Sequence, residues 1–134
     1  MKRMILILIL MLSITGCADQ GGRKNLDSET LAKPLLNFFQ GDITKITRID
    51  IRNGATGEVK SFKNKETLQK WLGKFRDIEV KSDPNQEPKT GYAYAVELYE
   101  GNQIKFSFTN SQIDKLYLLP SEELIKHMKS LYES

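Results

Sequence analysis

The chain has 134 residues, enough for one domain with appendages and too few for two. Its 40% hydrophobic and 28% charged content excludes an intrinsically disordered chain. The formal net charge is +3, but without Lys2 and Arg3 the 20 basic residues fall to 18 against 17 acidic ones, which excludes the basic footprint of a nucleic-acid binder.

Lys2 and Arg3 precede Met4 to Ile14, an apolar run broken only by Ser13. As a helix it would span roughly 16 Å, about half of a ~30 Å hydrocarbon core. That is the length of a signal-peptide core rather than of a membrane span. Ile14-Thr15-Gly16-Cys17 closes the run with a branched aliphatic, two small residues and the single cysteine of the chain. This segment resembles the lipobox of bacterial lipoproteins, with Ile and Thr in place of the commoner Leu and Ala. The resemblance implies that Ile14, Thr15 and Gly16 are read by the signal peptidase. It further implies that the Cys17 sulfur receives a diacylglyceryl group and that cleavage falls just before Cys17. Acyl chains on one residue give a lasting anchor where a single chain holds only marginally. With Lys-rich, Arg-poor usage and an Ile-rich leader, the chain is similar to small lipoproteins of low-GC Gram-positive bacteria, anchored on the extracytoplasmic side of the cell membrane.

Ala18 to Ser28 is polar and contains Gly21 and Gly22, so it reads as a flexible tether. The expected organisation is therefore a signal peptide over 1–16, the lipidated cysteine and tether over 17–28, and one domain over 29–134. With no second cysteine, that domain must be held by its core alone.

Within the domain, Leu31, Leu35, Phe38 and Phe39 recur at helical spacing, and Pro34 predicts a helix beginning near it. Thr47 to Arg52 alternates, with Ile49 and Ile51 on one face. Asn53 to Gly57 is turn chemistry, and Glu58 to Phe62 returns as the second hairpin arm. Asn64 is expected to cap a helix that places Leu68, Trp71, Leu72 and Phe75 on one stripe. Ile78 to Val80 reads as a short strand and Lys81 to Gly91 as an exposed loop. Tyr92 to Tyr99 alternates in a long strand, Gly101-Asn102 makes a hairpin turn, and Ile104, Phe106 and Phe108 alternate with Lys105 and Ser107. Ile113 to Leu119 reads as one more strand. Pro120-Ser121-Glu122-Glu123 opens a last helix that buries Leu124, Met128 and Leu131. The sum is α+β: an antiparallel sheet of four to six strands with two or three helices on one face.

Catalytic chemistry leaves little trace. His127, the only histidine, has no acid beside it in sequence and reads as a partly exposed helical residue. Glu122-Glu123 fits helix capping. Asp83-Pro84-Asn85-Gln86-Glu87 alternates oxygen ligands as calcium loops do, but Pro88 stands where an EF-hand needs Gly and Tyr94 where it needs Glu. No catalytic residues, metal site or cofactor are expected. Tyr92, Tyr94 and Tyr99 form a candidate interaction surface, because alternation should leave at least one of them on the helix-free side. The expected function is a non-enzymatic binding module, held at the membrane by its lipid, that touches a protein, peptide or envelope polymer. The alternative is an inhibitor or immunity-type protein that blocks an enzyme through the 81–91 loop.

Overall fold

The computed structural model describes residues 32–134. The expected signal peptide, lipobox, lipidated Cys17 and tether, and Leu31, lie outside the described residues.

The sequence alternation in Arg48–Asn53 (β2) puts Ile49 and Ile51 on one face, where both are fully buried. Val59–Phe62 (β3) pairs with it antiparallel through a turn that Asn53 closes, its side chain accepting the Ala55 amide at 2.8 Å. Tyr94–Glu100 (β5) pairs along the other side of β2, so that Ile49 meets Leu98 and Ile51 meets Val96. Gln103–Thr109 (β6), Gln112–Ile113 (β7) and Leu116–Tyr117 (β8) complete a six-stranded antiparallel sheet in the order β3-β2-β5-β6-β7-β8. Lys33–Pro34 (β1) and Glu79–Val80 (β4) pair apart from it as a two-stranded sheet.

Two α-helices cover one face of the large sheet. Asn64 caps Lys65–Phe75 (α1) by accepting the Thr67 amide at 3.0 Å, and Leu68, Trp71, Leu72 and Phe75 are buried as their spacing predicts. Ser121 caps Glu122–Tyr132 (α2) by accepting the Leu124 amide at 3.2 Å. The apolar residues form one cluster, centred on Phe75 against Phe106 and Phe108. The α+β expectation, with strands and helices in these numbers, is what the chain adopts.

Four local expectations fail, each for a tertiary reason. Pro34 does not open a helix: it sits in β1 opposite Glu79, and the Leu35 amide bonds the Ile78 carbonyl at 2.8 Å. Only the 3-10 turn Leu35–Phe38 follows, and it buries Leu35. Ile113 to Leu119 is not one strand, because Asp114 adopts φ 51° and folds it into the β7–β8 hairpin. In β6 a bulge at Lys105 breaks the alternation, since Leu98 pairs with Phe106 while Tyr99 pairs with Ile104. Ile104 therefore leaves the core face and stays exposed.

The fourth is His127, which is buried rather than partly exposed. Its ring stacks on Trp71 at 4.4 Å between centroids. The Trp71 indole N–H donates to the His127 carbonyl at 3.0 Å, and the His127 Nε2 meets the Trp71 carbonyl at the same distance. A carbonyl only accepts, so Nε2 carries the proton. Burial, helped by the Lys74 charge and opposed by the bond to Trp71, pushes this imidazole down to about 4.

Candidate functional site

The side of β6 away from β5 is paired only at Phe108, opposite Ile113. The main chain of residues 103–107 has no strand beside it there among the described residues. Along this gap runs an open groove of about 970 Å³, walled by Asn37 and Phe38 of the first 3-10 turn and by the β7–β8 hairpin. Phe38, Phe106 and Leu116 are partly buried hydrophobics that pack against the core and reach its floor. Gln40, Gln112 and Lys115 supply a polar rim. A strand edge beside apolar surface can receive an extended polypeptide, whose backbone takes the free hydrogen-bonding groups while its side chains fill the floor.

None of these groove residues stands out in the sequence as a site. The 3-10 turn that brings Phe38 to the groove follows directly on β1, whose place is fixed by pairing with β4, a contact between residues more than forty positions apart. The one local sign was Asp114-Lys115, a turn pair within an otherwise strand-like segment.

The helix-free face of the sheet is polar. Arg48 and Asp50 of β2 form an ion pair at 3.1 Å, bent away from hydrogen-bond geometry, and the Arg48 guanidinium lies 3.8 Å over the Tyr99 ring. The Tyr99 hydroxyl donates to the Glu97 carboxylate at 2.5 Å, and that bond raises the phenol above its ordinary range. Tyr99 thus does stand on the helix-free side. Tyr94 faces the helices, with its ring 5.6 Å from that of Tyr132. Tyr92 precedes β5 and is exposed near the β2–β3 turn, where a Cβ at Gly54 would lie 1.9 Å from the Tyr92 carbonyl oxygen. The three tyrosines do not come together as one surface.

The 81–91 loop is exposed over residues 84–91 and tied at its base. Gln86 Nε2 donates to the Tyr117 carbonyl at 3.0 Å and Gln86 Oε1 accepts the Tyr117 amide at 2.9 Å. These bonds add to the main-chain bridge between Ser82 and Leu118 and to the bond from the Asp83 amide to the Tyr117 carbonyl at 2.9 Å. Asp83 accepts the Asn85 amide at 2.9 Å and pairs with Lys89. Those bonds hold the Asp83 carboxyl below its ordinary range, with Lys89 the larger cause. Its oxygens are thereby engaged within the loop. Among the described residues no three His, Cys, Asp or Glu side chains converge as metal ligands. No helix among them is long and apolar enough to cross a membrane.

Compared with known proteins, the chain matches no family profile, no curated protein and no solved structure.

Proposed function

We propose that this chain is a lipid-anchored extracytoplasmic binding module that takes an extended segment of a partner polypeptide into the groove beside β6. The observation that carries the reading is the unpaired side of β6 lying along an apolar, polar-rimmed groove of about 970 Å³. The anchor rests on the Ile14-Thr15-Gly16-Cys17 segment, which would hold the domain near the membrane on a short tether.

Two arms test it in the native bacterium. Intact mass and membrane fractionation of the wild type beside Cys17→Ala should show acylation and membrane association for the wild type alone. A photo-crosslinking residue at Gln112, on the groove rim, should give a discrete adduct that the same residue at Glu66 on α1 does not. Asn37 is exposed, so Asn37→Trp fills the groove with little effect on the core and should abolish the adduct. An adduct that survives this filling, or none at Gln112, overturns the groove reading. Equal membrane association of the two chains overturns the anchor.

A second reading, inhibition of an enzyme through the 81–91 loop, is favoured by one feature. Successive side-chain turns at Asp83 and Asn85 hold the loop in one shape before any partner arrives. Deleting residues 83–88 should then abolish activity while leaving the fold intact.

A further inference from the structure

Beside the Trp71–His127 stack a second cleft, of about 360 Å³, opens between α1 and the end of α2. It shares no residue with the groove beside β6. Thr67, Lys70 and Lys74 line it from α1, and His127, Ser130 and Ser134 line it from the other side. The space would hold about a dozen waters at ~30 Å³ each.

Hydrogen-bond accounting shows what this lining still offers. The Ser130 hydroxyl donates to the His127 carbonyl at 2.7 Å, the Ser134 hydroxyl to the Leu131 carbonyl at 2.6 Å, and Thr67 to the Asn64 side chain at 3.3 Å. Each hydroxyl hydrogen is committed, so each oxygen faces a ligand as an acceptor. His127 is 8% exposed, and its Nε2 proton is held by the Trp71 carbonyl. Its Nδ1 keeps a lone pair, has no partner among the described residues, and is not closed off from solvent. Lys70 and Lys74, one helical turn apart, form no ion pair among the described residues, whereas Lys129 on α2 is bridged to Glu133 at 3.7 Å. Glu66, one turn before Lys70, makes no bridge to it. Among the described residues the cleft therefore combines two cations without an ion-pair partner with four acceptors.

A simple anion satisfies the cations and leaves the acceptors without hydrogens; a neutral polyol does the reverse. Ser130 and Ser134 are exposed, so water serves their oxygens in the open cleft, and a ligand that displaces this water must donate in its place. The fitting ligand therefore carries both chemistries. A planar carboxylate is best held by the fork of an arginine, and none lines the cleft; two ammonium point charges suit the distributed charge of a phosphate. We propose that the α1–α2 cleft binds a phosphorylated polyol, with its phosphate at Lys70 and Lys74 and its hydroxyls donating to His127 Nδ1, Ser130 and Ser134. A soluble polyol phosphate and the glycerophosphate headgroup of an anionic lipid share this chemistry.

Trp71 is the only tryptophan of the chain and lines this cleft, so its emission reports on the site alone. The full chain is titrated with glycerol 3-phosphate, inorganic phosphate and glycerol, then mixed with vesicles of phosphatidylcholine with and without phosphatidylglycerol. Lys70 and Lys74 are exposed, so the double variant Lys70→Gln, Lys74→Gln should keep the wild-type circular dichroism. The expected result is a saturable change with glycerol 3-phosphate at least tenfold tighter than with inorganic phosphate, no change with glycerol, and at least tenfold weakening in the double variant. If phosphatidylglycerol vesicles also give a change that the double variant loses, the lipid headgroup is the source; if only the soluble probe does, the free ligand is. Absence of a saturable change with both phosphate sources overturns the proposal. So does equal affinity for inorganic phosphate, or a response that survives in the double variant.

Discussion

The domain is closed by the same bonding device in two places, once inside the helix layer and once at the open end of its sheet. Between α1 and α2, Trp71 and His127 each give a side-chain donor to the other's main-chain carbonyl, and their rings stack with 10° between planes. At the far edge, the Gln86 side-chain amide exchanges two hydrogen bonds with the main chain of Tyr117. The difference lies in the solvent. Trp71 and His127 are buried, so losing either partner strands polar atoms where water cannot replace it, whereas Gln86 is exposed and water can. The first pair holds the two helices in register. The second shields an edge strand only two residues long, at little thermodynamic consequence.

Removing the buried member should produce the largest effect. Trp71→Ala deletes the stack and the indole donor together and should lower unfolding free energy by about 3–5 kcal/mol in urea titrations. The buried pair should also make stability depend on acid. The folded His127 titrates near 4 and the unfolded one near its ordinary 6.5, so only the unfolded chain takes up the proton between those values. Stability from this source is complete above pH 6.5, falls as the pH drops, and levels off below pH 4, by about 3 kcal/mol in all. His127→Phe keeps an aromatic ring on Trp71 but cannot titrate, so the wild-type-minus-variant difference should shrink across this window. A difference constant with pH would show that the imidazole is not held neutral by the fold. Gly54→Ala tests a close approach away from both pairs. The atom in the way is a main-chain oxygen that cannot swing aside, and a loss of about 1–3 kcal/mol in the same titration is expected.

What was legible in the sequence follows the range of the forces involved. The stripe Leu68, Trp71, Leu72 and Phe75, the caps Asn64 and Ser121, and the alternation around Ile49 and Ile51 are local patterns, and the chain folds along them. Pro34 is a permissive helix start until the Leu35 amide is taken by Ile78, a partner no local window contains. His127 read as partly exposed because nothing beside it in sequence marks a partner, yet the ring stacks on Trp71, and burial is set by that distant indole. The groove is invisible for the same reason. Its floor is assembled from three segments, and its defining feature is pairing that stops at Phe108.

The exposed pair gives the smallest effect and the sharpest contrast. Gln86→Ala removes both of its bonds to Tyr117; the freed amide can turn to water, and the carbonyl keeps the Asp83 amide as its donor. The global loss should therefore be about 1 kcal/mol or less. Locally the expectation is different. The Tyr117 amide has Gln86 Oε1 as its partner on that side, and the main-chain bonds beside it, from the Asp83 amide to the Tyr117 carbonyl and from the Leu119 amide to the Lys81 carbonyl, do not supply another. Hydrogen exchange at Tyr117 should accelerate in the variant, while exchange in β2 and β5 stays that of the wild type, because a terminal hairpin opens without the core. An equal acceleration in β5 would mean that the edge and the core unfold together, and that Gln86 bears on the whole domain as much as the buried Trp71–His127 pair does.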